Sequence, residues 1–194
     1  MNTFVLESNE HGDYPVDIYQ KLAGDRILFI SDVLNEKIAT DIVATLILKD
    51  HEDPNSKISL FINSSGGDIR SAFMIYDVMQ MIEAPIETVC IGSAVDESLI
   101  VMAAGTPGMR LATKNSFFSF SQLVHNSIWQ ANLTDAKKIV DRYSRDNRNM
   151  MEVIAKASNK NIKQVMSDFE RRVFMTPQEA VKYGLIDKII AFNK

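Results

Sequence analysis

Phe61-Ile62-Asn63-Ser64-Ser65-Gly66-Gly67-Asp68, running on into Ile69-Arg70-Ser71-Ala72-Phe73-Met74-Ile75-Tyr76, is the stretch whose reading decides the fold. Lys57 to Ile62 reads as a short apolar strand, and Ile69 to Ile82 as a helix with Asp68 as its N-cap. Between them, the pair Gly66-Gly67 leaves backbone N–H groups with no Cβ in front of them, as an anion or an oxyanion requires. The same pair suits an ordinary tight turn. The absence of a Lys-Ser/Thr after the glycines argues against a nucleotide phosphate loop.

The unit repeats downstream. Thr88 to Gly92 reads as a strand that enters a helix over Glu97 to Ala104, through Ile91-Gly92-Ser93-Ala94-Val95-Asp96-Glu97-Ser98. Asp96 stands at the strand-to-helix turn, where a serine hydrolase would place its nucleophile. Upstream, a polar stretch to about Asp13 precedes a strand over Arg26 to Ile30. Asn35 then caps a helix with apolar Ile38, Ala39, Ile42, Val43, Leu46 and Ile47, and His51 to Ser56 is a polar loop. Further on, Arg110 to Thr113 and Phe117 to Phe120 are short extended pieces. A long polar helix runs from about Leu133 to Ala157, ends near Ser158-Asn159, and is followed by a helix over Ile162 to Phe169. Thr176-Pro177-Gln178-Glu179 is a helix start with a Thr cap, Pro in the first turn and Glu three on from the cap. Gly184 stops that helix and Leu185 to Ile190 is a last strand. Strands alternating with helices indicate an α/β fold of repeated βαβ units.

Of the 194 residues, 46% are hydrophobic, enough for one core, so 1–194 is read as a single domain. A net charge of −4 argues against a nucleic-acid partner. The lone Cys90, in apolar surroundings, allows no intramolecular disulfide and fits a reducing cytoplasm. No run of about 18 apolar residues would span a membrane. The opening Met1-Asn2-Thr3-Phe4-Val5-Leu6-Glu7 lacks the basic start and apolar core of a signal peptide. His11 and His51 offer no metal-ligand spacing, so neither metal nor cofactor is expected.

The stretch FINSSGGDIRSAFMIYDVMQ (61–80) resembles the strand, Ser-Pro-Gly-Gly loop and helix of the Clp protease proteolytic subunit, with Ser65 in place of the proline. The resemblance continues through Val16-Asp17-Ile18-Tyr19 and through TPQEAVKYGLID (176–187), and covers nearly the whole chain. It implies a crotonase-like ααβ superhelix assembled into stacked seven-membered rings around a chamber. It also implies that 1–16 is an axial-pore segment that starts without a propeptide, and that 121–158 forms the inter-ring handle strand and helix.

The same resemblance implies that the chemistry is gone. The family has Ala-Ala-Ser-Met-Gly-Ala after Ile-Gly; here Ala94, Val95, Asp96, Glu97, Ser98 and Leu99 stand there, so the nucleophile position is Asp96. A carboxylate would form a mixed anhydride rather than an ester with a peptide carbonyl. The family's Asn-Ser-Arg-x-Met-Ile-His-Gln-Pro is matched by Asn115 to Leu123, which puts Ser121 at the general base, a group that takes no proton near neutral pH. The third triad member falls on Arg172, with reversed charge. Without nucleophile and base, only weak catalysis from binding and an oxyanion hole would survive. The oxyanion-hole positions fall on Gly67 and Glu97. Asp96 and Arg172 sit at opposite ends of the old triad, where a charge-assisted pair would bridge the space left by imidazole; the alternative is that both are solvated.

Phe61, Met81 and Leu111 match the positions that form the apolar cleft for the ATPase partner's loops, with Ser59 in place of an aromatic; the plain alternative is ordinary strand-end and helix-face residues. The handle stretch SQLVHNSIWQA (121–131) lacks the family's Pro and glycines and carries Ile128 and Trp129, which would alter substrate-strand binding and ring contact.

The leading expectation is a non-catalytic Clp-type subunit that builds a ring alone or with an active proteolytic subunit, open to docking by a Clp ATPase. A second is a serine endopeptidase with a relocated site built from Ser98, His125 and Asp96 or Asp168, although a two-residue helical step of about 200° turns Ser98 away from the old pocket. A third is a crotonase-like acyl-thioester binder.

Overall fold

The computed structural model describes residues 4–10, 12–120 and 132–191. Strands β1 (Phe4–Asn9) and β2 (Gly12–Asp17) form an antiparallel hairpin, with Phe4 opposite Asp17 and Asn9 opposite Gly12. The opening stretch is too polar for its strands to show in a hydrophobic pattern, because they pair with each other rather than with the main sheet. Asp17 ends the hairpin and caps α1 (Ile18–Gly24), its carboxylate accepting from the N–H groups of Tyr19 and Gln20.

The main sheet is built from β3 (Ile27–Ile30), β4 (Ile58–Ser64), β5 (Ile86–Val95), β6 (Arg110–Ala112) and β9 (Lys188–Ile189), neighbours in that order and all parallel. Helices α2 (Glu36–Glu52), α3 (Ile69–Met81) and α4 (Ser98–Ala103) connect successive strands, as a parallel sheet demands. The mixed α/β architecture expected from the sequence is therefore present. Helix α2 runs through His51 and Glu52, which the sequence suggested as loop; the chain turns only at Asp53.

Strand β5 is the pivot. Its first half, Thr88 to Cys90, pairs with β6, and its second half, Ser93 to Val95, pairs in parallel with β7 (Phe117–Phe120). Strand β7 in turn pairs antiparallel with β8 (Val173–Met175), a strand too short and too flanked by charge to be read from sequence. The β4–β5 register slips where this change occurs: Ile62 faces Cys90 but Ser64 faces Ala94. The Asn63 side chain fills the irregularity, its Oδ1 accepting from Ser93 N–H at 3.1 Å. A Cβ on Gly92 would lie 2.3 Å from that oxygen, so the crossing needs glycine.

Leu28, Leu60 and Ile62 from the sheet, Ile75 from α3, and Leu99 to Met102 from α4 are buried in one cluster. Phe118 and Phe120 from β7 share it with Phe169. Phe169 lies on α6 (Ile162–Arg171), which follows the long α5 (Leu133–Ser158) after Asn159 takes the left-handed conformation at φ 52°. Each such side chain is worth roughly 1.5–3 kcal/mol of burial. Helix α7 (Pro177–Tyr183) has the expected capping box between Thr176 and Glu179, and Gly184 ends it at φ 93°. Of the expected strand over 185–190, only Lys188 and Ile189 pair with β6; Leu185 and Ile186 are buried as packing residues instead.

Candidate functional site

Two turns meet above the β4–β5 register slip. The first follows β4. Leu34 forms an isolated parallel bridge there: its N–H donates to the Gly66 carbonyl and its carbonyl accepts from Asp68 N–H, both at 2.8 Å. Leu34 thereby brackets Gly67 from one side, and the Gly67 N–H faces the other way. Gly66 and Gly67 hold φ of 100° and 142°, and a Cβ on Gly67 would sit 2.3 Å from the Leu34 oxygen. Both the conformation and the close approach require glycine. Asp68 keeps the helix start in place by accepting from the N–H and the hydroxyl of Ser71.

The second turn follows β5. Asp96 has φ 48°, uncommon for a residue with a Cβ, and its N–H donates to the Ser119 carbonyl at 2.8 Å. The backbone thus makes a sharp elbow between β5 and α4, at the residue that the sequence places in the nucleophile position. Such strain is held only because the surrounding bonds over-determine it.

Glu97 is the residue that the sequence reading missed in part. Its backbone was expected to contribute to an oxyanion hole with Gly67. The structure adds its side chain: Glu97 Oε2 accepts from Gly67 N–H at 2.9 Å, and the residue is 9% exposed. Burial pushes the carboxyl above its ordinary value, opposed by the N–H groups of Gly67 and of Glu97 itself; the nearby charges of Asp96 and Asp68 push it further up. Nothing in the sequence distinguishes this carboxylate from a solvated one, because the contact depends on the spacing of two turns thirty positions apart.

Ser98 is fully buried. Its hydroxyl accepts from Val95 N–H at 2.7 Å and has the carbonyls of Val95 at 2.8 Å and Ser64 at 3.2 Å as acceptors. It ties the elbow to the end of β4 and presents no nucleophile to solvent. Asp168, the other member weighed for a relocated site, accepts from Tyr183 Oη at 2.9 Å and from Gln164 at 3.0 Å, within the α6–α7 packing. Ser121, His125 and Trp129 lie outside the described residues.

Arg172 ends α6 in the left-handed conformation at φ 52°. Its guanidinium lies over the Phe174 ring, 5.7 Å from the centroid. None of the ion pairs among the described residues joins Asp96 to Arg172. The αL backbone at Arg172 and the aromatic neighbour two positions on bring the guanidinium into cation–π range.

Two of the docking candidates, Phe61 and Leu111, lie on the sheet face opposite the core. Phe29, Phe61, Val89 and Leu111 are register partners across β3, β4, β5 and β6. Phe61 stacks on Phe29 with ring centroids 5.2 Å apart, and Tyr19 of α1 meets Phe29 edge-on at 5.6 Å. Phe61 and Leu111 are half-buried; Met81, at the end of α3, is 67% exposed. Among the described residues no group of three His, Cys, Asp or Glu could hold a metal, and no helix is long and apolar enough to cross a membrane.

The Clp protease family model matches residues 10–193 of the chain. The chain is also 33% identical over 187 residues to the ATP-dependent Clp protease proteolytic subunit of Deinococcus radiodurans, which covers 96% of this chain and 91% of that protein. With a glycine loop, a strand-to-helix elbow and a split parallel sheet in the arrangement described, and with that match over almost its full length, the chain belongs to the Clp protease family.

Proposed function

We propose that this chain is a non-catalytic subunit of a Clp-type ring protease, a structural or regulatory component rather than a peptidase. The observation that carries this reading is the elbow itself: it presents Asp96, and the hydroxyl nearest to it in sequence, Ser98, is fully buried and bonded to backbone. Peptide hydrolysis through an acyl-enzyme needs an activated hydroxyl or thiol within reach of a base. Ser121 at the family's base position cannot supply that base. The relocated endopeptidase, with Ser98 as its nucleophile, is disfavoured by the same burial. The acyl-thioester reading is disfavoured because a carboxylate already holds the Gly67 N–H that a thioester oxygen would need.

In this reading 1–194 is one Clp-type domain. Its first sixteen residues form the pore-side segment, and 121–158 the handle through which rings contact each other. The subunit assembles into heptameric rings, alone or mixed with an active proteolytic subunit, and works in the cytoplasm without cofactor, membrane or nucleic acid. The aromatic row of Phe29 and Phe61, with Leu111 on the same sheet face, and the exposed Met81 at the end of α3 are offered to loops of a Clp ATPase.

The test is turnover of a fluorogenic peptide by the purified chain, alongside its native mass. No turnover and a ring-sized mass are expected. Turnover that Ser98→Ala abolishes would overturn the reading, as would a monomer that neither self-assembles nor co-purifies with an active subunit.

A further inference from the structure

The position of the Glu97 carboxylate follows from three constraints. Leu34 pairs with the Gly66 carbonyl and the Asp68 N–H on either side of Gly67, and the Gly67 N–H between them points to the elbow, where Glu97 accepts it. The elbow at Asp96 turns the next side chain back toward the loop, and a Cβ on Gly66 would lie 2.5 Å from Glu97 Oε2. The carboxylate is therefore packed against the glycine pair, not merely near it. The Gly67 N–H, which would help hold an oxyanion, is thus turned on an internal anion instead.

We propose that Glu97 is an internal ligand of the Gly67 cradle, closing from within the place where a substrate oxygen would be held, and that the cradle without it is a receptor for a small carboxylate. This rests on the reading of the chain as non-catalytic and extends it: the hole is not vacant but self-occupied. A side chain tethered at the site has a high effective concentration, which a peptide carbonyl would have to overcome. Glu97→Ala removes a CH2–COO⁻ fragment, which is the heavy-atom framework of acetate. The cavity that this truncation leaves has the shape of that ion and one or two N–H donors at its end.

The test is amide hydrogen exchange at constant pH, resolved by overlapping peptides at Gly67, on the full chain in its native assembly. In the unsubstituted protein, Gly67 should be protected and indifferent to added acetate. Glu97→Ala should speed its exchange by about tenfold or more, the worth of a charged hydrogen bond. Acetate, but not chloride at equal ionic strength, should restore protection with a saturable dependence. Glu97→Met keeps the bulk without the acceptor and should show fast exchange with no acetate response; it serves also if Glu97→Ala fails to fold. Unchanged protection in either variant, or a loss in Glu97→Ala that acetate does not reverse, overturns the proposal. Peptide turnover by the unsubstituted chain would overturn the non-catalytic reading while leaving this amide measurement intact.

Discussion

Gly67→Ala should be one of the most damaging single-methyl additions in this protein, and its cost can be worked from the loop geometry. The new Cβ would sit 2.3 Å from the oxygen and 2.6 Å from the nitrogen of Leu34, both backbone atoms that no rotamer change can move. Relief requires breaking the Leu34 bridge, whose two hydrogen bonds of 2.8 Å contribute about 0.5–1.5 kcal/mol each. The residue must also hold φ 142°, a conformation that L side chains rarely adopt, at a further cost of roughly 1–3 kcal/mol. The total is about 2–6 kcal/mol, which for a chain of this size lowers Tm by roughly 4–24 °C. Urea unfolding followed by circular dichroism reads it as a lower midpoint with an unchanged slope. Gly66→Ala provides the contrast. Its Cβ meets the Glu97 carboxylate at 2.5 Å, the end of a flexible side chain, so part of its cost should vanish in the double variant with Glu97→Ala. A Gly67→Ala protein within about 1 kcal/mol of the parent, or a Gly66→Ala penalty that Glu97→Ala leaves untouched, would refute this geometry.

Glu97→Gln tests the buried carboxyl through pH. Burial raises the folded-state pKa above the ordinary 4.5, so the folded protein binds this proton more tightly than the unfolded chain. The resulting stability is full below about 4.5 and is lost as pH rises through the folded value, so the parent should lose stability with rising pH in a window starting there. Subtracting the Glu97→Gln curve should isolate that downward slope; a difference curve that rises across the window contradicts the assignment. Arg110→Ala removes a guanidinium that bonds both oxygens of Asp187 and the carbonyls of Ala157 and Gly184, leaving the Asp187 carboxylate half-buried without its cation. A loss of about 3–5 kcal/mol is expected in chemical denaturation. Ser98→Ala should lower stability by about 1 kcal/mol through the lost Val95 bonds and leave every activity measurement unchanged.

The helices after α1 were legible because their signals are local, whereas the short α1 was not read. Asn35, Asp68 and Thr176 each cap the helix they precede, through a side-chain oxygen that accepts from a nearby N–H. The glycine pair and the elbow residue were legible as a motif, since both turns lie within a few positions of a strand end. The strands were less so. The β1–β2 hairpin and β8 are polar or short, and their existence depends on partners distant in sequence or on each other. The extra length of β5, from Thr88–Gly92 to Ile86–Val95, comes from pairing with two different strands along its course.

By itself, the sequence determined the family, the capped starts of three helices and the identity of the residues at the old catalytic positions: Asp96, Ser121 and Arg172 are there whatever the fold does with them. Tertiary structure alone decided what three of the side chains near that site do. Glu97 turned out to hold the Gly67 amide, Ser98 to be a buried brace, and Arg172 to rest on Phe174. Composition and spacing could not have settled these, because each depends on where two backbone turns come to rest within about an ångström. That distance is set by the Leu34 bridge, the Asn63-filled register slip and two glycines without Cβ atoms, all of them contacts between segments far apart in the chain.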